Sequence, residues 1–320
     1  MKSFRHDFQF RVGNFFRALL FFSFSHSFFA DGQTVAKQTH QQPPVVNASC
    51  GMLGVETGTW GSWIAEEGYH PMGSAPIFFA PMAAPLAPRF NIVTGAGNDP
   101  CSVGAAGPVV PVVSPGFGNF SIQLGQPQTD GLTQCTSTGP YPGPVAGSAG
   151  NGCSERLHCP FTVTTADTSF IYSYAIFVEN PDVTNNPHTM IDAPFAEIYI
   201  LAPKAGGGVD TVPCSHRRYT SNLTSTSTPG FYNASCTNQP APDFVSYKPW
   251  TIVGVNLKSY LAQTLTVVIT NSDCGKGGHF CHSYWDFQCA PLNNTNTPFC
   301  LGNQTTFCGP ASVSSNPYTY

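Results

Sequence analysis

Charge is what this sequence has least of. Lysine and arginine together number 13 and aspartate and glutamate 17, so charged side chains make up 9% of its 320 residues, against about 25% in an ordinary globular protein. The net charge of −4 therefore comes from few charges of either sign. No electrostatic footprint for a phosphate backbone or an anionic bilayer is present, which sets nucleic acid aside as a partner. Helical periodicity is missing as well: 31 glycines and 29 prolines break up the windows that would carry a 3.6-residue apolar stripe. There is no CxxC pair, no HExxH, no GxSxG and no nucleophile beside an evident base. The signatures of zinc ribbons, metalloproteases and serine hydrolases are thus absent. Beyond the N-terminus no segment is apolar over the roughly 20 residues a membrane span needs.

What is abundant is aromatic residues, at 13% with 25 Phe, and cysteine, at 12 residues. The N-terminus decides how the cysteines read. Met1 to Ala30 carries Lys2, Arg5, Arg11 and Arg17, then an apolar run and a small residue before Asp31. That order is a signal peptide rather than an anchor, because His26 and serines interrupt a run too short to span. The chain is then expected to be exported, with no transmembrane span after cleavage, and its even number of cysteines to be oxidised. Residues 31–46 read as a polar linker ending in Pro-Pro.

From Asn47 the chain reads as short strands separated by turn residues, which predicts an all-β sandwich with long Gly/Pro-rich loops over residues 47–290. Trp60 and Trp63 lead a first strand, where they either pack over the sandwich end or stack on a sugar. Arg89–Thr94, Ser121–Leu124, Glu155–Thr165, Phe195–Leu201, Val209–Cys214 and Trp250–Leu257 are strand-like. In Ser169–Glu179 both faces are apolar, with Ile171, Ser173, Ala175 and Phe177 on one and Tyr172, Tyr174, Ile176 and Val178 on the other. Such a strand belongs in the centre of a sheet, covered on both sides. The stretch Thr264–Cys289 reads as a final hairpin around a glycine-rich turn. Cys135 and Cys153 would staple one insertion, and Cys214 and Cys236 could pair across a Ser/Thr loop. Residues 291–320 form a tail resembling the start of a PKD-like or immunoglobulin-like repeat.

Several pieces in order resemble a family of secreted Bacteroidota-type surface modules: CGMLGVETGTWGSW, FNIVTGAGNDP, VVPVVSPGFGNFSIQLG, ERLHCPFTVTTADTSFIYSYAIFVENP, KPWTIVGVNLKSYLAQTLTVVITNSDC and GGHFCHSYWDFQC. Such modules sit at the N-terminus of proteins with PKD-like repeats and a gliding-motility or type IX sorting C-terminus. The resemblance, over Asn47 to Cys289, implies a galactose-binding-like jelly roll similar to carbohydrate-binding modules. In similar jelly rolls a structural Ca²⁺ lies where the first strand meets the last, which here implies Glu56 of VETG and Asp286 of SYWD as ligands. Carbonyls would complete its shell of about six to eight oxygens. A Cys50–Cys289 bridge would tie the same two strands.

The clustered Cys274, His279, Cys281 and His282 invite a zinc reading, but residues three apart on a strand face opposite ways and exported cysteines favour disulfides. Carboxylates suited to glycoside hydrolysis are scattered (Glu56, Glu66, Glu67, Glu155, Glu197, Asp273, Asp286 among them) with nothing to single out a pair. The expectation is a non-enzymatic adhesion or glycan-binding module at the cell surface or secreted. Its partners would be extracellular glycans or surface proteins, with Trp60, Trp63, Tyr284 and Trp285 as stacking aromatics. A structural cap of a repeat stalk and an accessory domain of a secreted hydrolase are the alternatives.

Overall fold

The structure, a computed structural model, describes residues 53–73, 78–85, 87–126, 151–180, 189–221, 229–234, 236, 244–276 and 279–290. The chain divides into two units, 1–40 and 41–320, and every described residue lies in the second. The leader, the linker, the tail, Cys50 and Cys135 all lie outside the described residues. Among the described residues no helix is long and apolar enough to cross a membrane.

Among the described residues thirteen strands form two antiparallel sheets: β1 (Ile64–Pro71), β2 (Phe78–Pro81), β3 (Phe90–Thr94), β4 (Phe120–Leu124), β5 (Asn151–Thr162), β6 (Ser169–Asn180), β7 (Phe195–Pro203), β8 (Val209–Thr211), β9 (Arg217–Thr220), β10 (Tyr232–Ala234), β11 (Phe244–Asn256), β12 (Thr264–Ser272) and β13 (Cys281–Ala290). Sheet A runs β2-β1-β5-β12-β7-β8, with β9 also on β7, and sheet B runs β10-β11-β6-β13-β4-β3. The longer strands β5, β6, β7, β11, β12 and β13 alternate between the two sheets in chain order. The result is a jelly-roll β-sandwich.

The reason is visible in the side chains. Strand β6 lies between β11 and β13, and its Phe170, Tyr172, Tyr174, Ile176 and Val178 enter the main core together with Trp285 and Phe287 of β13. Phe161, Phe170, Phe287 and Trp63 form a chain of ring contacts with centroids 5.3–5.9 Å apart, the spacing at which aromatic pairs attract. The other face of β6 supplies Ala175 and Phe177 to a second core with Tyr247, Phe280 and Tyr284. The two-faced reading of β6 is thus realised.

The expected hairpin is not. β12 pairs with β5 and β7 in sheet A, while β13 pairs with β6 and β4 in sheet B. The inward residues of β12 (Leu265, Val267, Ile269) and of β13 (Cys281, Trp285, Phe287, Cys289) share the main core. Their apolar faces meet across the sandwich, and each strand takes its hydrogen bonds from partners distant in sequence.

The second core exists because a strap, residues 95–113, lies over the outward face of sheet B. Asn98 bridges to Pro111, the Tyr247 hydroxyl donates to Pro108 O at 2.8 Å and Trp250 Nε1 donates to Pro111 O at 2.7 Å. A disulfide joins Cys101 to Cys236. Beneath it, Asp99 Oδ2 accepts from His282 Nε2 and from the Tyr284 hydroxyl, both at 2.8 Å. Burial pushes the Asp99 carboxyl up, but His282 and these hydrogen bonds outweigh it and hold it below its ordinary range. The strap closes this face over Phe177, His282 and Tyr284, while Ile171, Ile252 and Gln288 farther along it stay half-buried.

Candidate functional site

The outward face of sheet A is partly exposed: Ile64 at its edge is exposed, whereas the central Val268 and Thr270 are buried. Alternation along each strand sets its residues: Ile64 and Glu66 from β1, Arg156 and His158 from β5, Val268 and Thr270 from β12, Glu197 and Tyr199 from β7. Register places Glu66, Arg156, Thr270, Glu197 and Arg218 in one row across five strands. Ile64, His158, Val268 and Tyr199 form the next.

Polar groups on this face hold one another in place. Arg156 Nη1 meets Glu66 Oε2 at 3.4 Å, its Nε reaches Thr270 Oγ1 at 3.5 Å, and its guanidinium lies 3.6 Å from the Phe79 ring centre. Glu197 Oε1 contacts His216 Nε2 at 2.8 Å and Arg218 Nη1 at 3.7 Å, while Arg218 covers the Phe195 ring at 3.5 Å. His158 Nδ1 stands 3.9 Å from Glu66. Tyr199 is half-buried among them, its ring meeting that of His216 edge-on at 6.0 Å. Burial pushes its phenol up; Arg156 opposes this, and Glu197 and Glu66 add to it. A fixed aromatic ring bordered by planar hydrogen-bonding groups is suited to a neutral polyhydroxylated ring. The aromatic face takes the CH groups and the fork-like guanidinium and carboxylates take hydroxyl pairs.

The expected stacking aromatics lie elsewhere. Trp63, Tyr284 and Trp285 are 5%, 2% and 0% exposed and cannot meet a ligand. Trp63 packs on Phe287 and donates its Nε1 to Leu53 O; Trp285 donates to Ser283 Oγ; Tyr284 is held under the strap by Asp99. Trp60 is half-buried against the main core. Large aromatics on a two-sided sheet went to the interior because burial of their area outweighs any exposed role.

The cysteines also depart from expectation. Cys236 pairs with Cys101, not with Cys214. Cys153, Cys214 and Cys289 are disulfide-bonded, whereas Cys159, Cys274 and Cys281 are buried thiols, so oxidation is not complete. Burial pushes the Cys159 and Cys274 thiols up to about 12. The hairpin zinc set does not assemble: Cys274 Sγ contacts His279 Nδ1 at 3.4 Å, while His282 turns toward Asp99.

Glu56 and Asp286 do come together. Glu56 Oε2 accepts from Asn119 N at 2.8 Å, and its carboxylate fills the space over Gly118, where a Cβ would come within 2.2 Å of it. Asp286 accepts from Phe287 N at 2.8 Å and from Ser121 Oγ at 3.1 Å. Burial raises the Asp286 carboxyl well above its ordinary range, and Glu56 pushes in the same direction. Of the scattered carboxylates, Glu155 and Asp273 are both tied to Arg89, by a direct Nε contact and at 2.8 Å respectively, and both are buried. That makes them an internal ion cluster rather than an acid/base pair open to substrate.

Sequence reasoning missed Tyr199, Arg156 and His158, and met Glu197 only as one of the scattered carboxylates. The signal was present: in FAEIYIL Glu197 and Tyr199 alternate with Ala196, Ile198 and Ile200, and in ERLHCPFT Arg156 and His158 alternate with Leu157 and Cys159.

No protein-family model and no curated protein matches the chain. Among solved structures it is similar to a carbohydrate-binding module of the β-sandwich superfamily described as promiscuous in specificity, at 9% identity and TM-score 0.28 over 73% of this chain and 60% of that one. It is also similar to TmCBM61, solved with β-1,4-galactotriose, at 8% identity and TM-score 0.27 over 74% of this chain and 94% of that one. A third is the enzymatically active domain of tailspike protein 4 of bacteriophage CBA120, at 6% identity and TM-score 0.27 over 73% of this chain and 20% of that one. The chain therefore spans less than two thirds of the first of these, and similarity at this level does not bear on what the chain binds.

Proposed function

We propose that this protein is a non-enzymatic module, exported and stabilised by disulfides, that binds an extracellular glycan on the outward face of sheet A. The observation that carries the reading is Tyr199: an aromatic ring held half-buried on that face, among Glu66, Arg156, His158, Glu197 and His216. On the opposite sheet the strap covers Phe177, His282 and Tyr284, so these rings are withdrawn from solvent while Tyr199 is not. The leader pattern of Met1–Ala30 and the Cys101–Cys236 disulfide support export.

Calcium is part of the same proposal, as a structural ion. Two carboxylates from different segments, one buried, lie close enough for the Glu56 charge to push the Asp286 carboxyl up. Their oxygens, with nearby carbonyls, match a hard divalent cation. Glu56 and Asp286 would hold it, and its role would be to fix the segment before β1 against β13.

The test is a glycan array probed with the full-length chain, with and without calcium, beside Tyr199→Ala. Binding to a defined glycan group that Tyr199→Ala loses supports the reading. A silent array on folded, calcium-saturated protein overturns it and leaves the structural-cap alternative.

A further inference from the structure

Beneath the strap the chain brings together donors that the glycan reading does not use. A carboxylate oxygen of Asp99, Cys101 Sγ and a ring nitrogen of His282 all lie within 4.8 Å of one another, and all three residues are fully buried. Cys236 Sγ adjoins them through its bond to Cys101. The four residues come from three distant segments: the strap, the residue just beyond β10, and β13.

We propose that this locus is a closed metal site in the reduced chain, in which Asp99, Cys101, Cys236 and His282 hold Zn²⁺ in place of the disulfide. Two thiolates, an imidazole and a carboxylate are a tetrahedral donor set of the kind zinc takes in structural sites, with no position left for water. Their charge of −3 more than offsets the ion. Asp99 Oδ2 and His282 Nε2 already stand 2.8 Å apart, and they need part only slightly to become neighbouring ligands on one centre. The Tyr284 hydroxyl and Cys101 N–H bind Asp99 and orient it, as outer groups do around metal ligands. Phe177 and Phe280 clamp the His282 ring, with Phe177 parallel to it at 4.5 Å. His282 Nδ1 is buried without a hydrogen-bond partner. It is the nitrogen that takes the ring proton when Nε2 turns to the metal.

The exchange balances with a dithiol as reductant. The dithiol gives two electrons and two protons and becomes a disulfide, while the Cys101–Cys236 bond breaks to two thiols. Zn²⁺ then displaces both thiol protons to solvent and forms two Zn–S bonds. Cys236 is only half-buried, so it is the sulfur a reductant can reach.

Cobalt(II) titration of the full-length chain in excess dithiol tests this, because thiolate-to-cobalt charge-transfer absorption reports sulfur ligands directly. The expected result is one ion per chain with that absorption and tetrahedral d–d bands, both displaced by zinc. The absorption should vanish in the C101S/C236S double variant. His282→Gln should weaken the ion by at least about 100-fold, and Tyr284→Phe by roughly 10–100-fold. Absorption that survives in C101S/C236S would assign the metal to other thiols and overturn the proposal. So would a reduced, folded chain that shows no thiolate absorption, or unfolding on reduction that zinc does not prevent.

Discussion

The rings of Tyr199 and His216 meet edge to face, 6.0 Å between centres and 89° between planes, while His216 Nε2 contacts Glu197 at 2.8 Å. His216 therefore links the aromatic ring to the carboxylate two residues away on β7. The two contacts hold the Tyr199 ring and the His216 imidazole in this arrangement.

Because that ring is fixed before any ligand arrives, its removal should cost binding rather than stability. Tyr199→Ala is expected to weaken glycan binding roughly tenfold or more, about 1.4 kcal/mol, with the unfolding midpoint little changed. Trp60→Ala, off this face, should leave affinity unaltered. Titration calorimetry against the best array glycan checks both.

Calcium should raise the melting temperature. At about 100 times its Kd, an ion bound to the folded chain alone adds about 2.7 kcal/mol, roughly 5–10 °C for a domain of this size. Asp286→Asn and Glu56→Gln should each abolish the shift. Gly118→Ala should abolish it too, because its Cβ would drive the Glu56 carboxylate from its place and the backbone there has φ +136°. Thermal scans with and without chelator decide.

The ion cluster around Arg89 sets a pH dependence. Burial is the largest influence on Glu155 and raises its carboxyl to about 7, against the pull of Arg89. One guanidinium faces both Glu155 and Asp273, so one carboxylate retains a proton. The folded chain then binds more protons than the unfolded chain between about 4.5 and about 7. Stability falls as pH rises through that window, by at most about 1.4 kcal/mol per pH unit. Glu155→Gln should flatten the profile in urea unfolding measured from pH 5 to 8.

Trp285→Ala should destabilise by about 3–5 kcal/mol, as emptying a core aromatic site does, and is read by chemical denaturation. Loss of binding without loss of stability in that variant would contradict the placement of Trp285 between Tyr172 and Tyr174.

Much of the sandwich was legible because period-two alternation is local. The two apolar faces of β6 could be read directly, and FNIVT and FAEIYIL sit where alternation puts them. Partner strands are not local. Thr264–Ser272 and Cys281–Ala290 follow one another closely in sequence, yet nothing in either stretch says that β5 and β6 are their neighbours. Disulfide pairing failed for the same reason: Cys101 and Cys236 are 135 residues apart, and only the path of the strap brings them together. The outward face of sheet A was hidden differently. Alternation puts Tyr199 opposite Ile198 and Ile200, but which of the two faces looks inward is decided only by the packing of sheet A on sheet B.

Strand β13 is made after the other strands of the described residues, yet it lies in the middle of sheet B, between β6 and β4. During synthesis, therefore, β4 and β6 wait with unmatched hydrogen-bonding edges until residue 290 has emerged. The nascent chain spends that interval with an open slot shaped for a strand, which any extended segment of a neighbouring chain could enter. A chain halted before Cys281 is expected to associate through that slot rather than persist as a smaller folded unit.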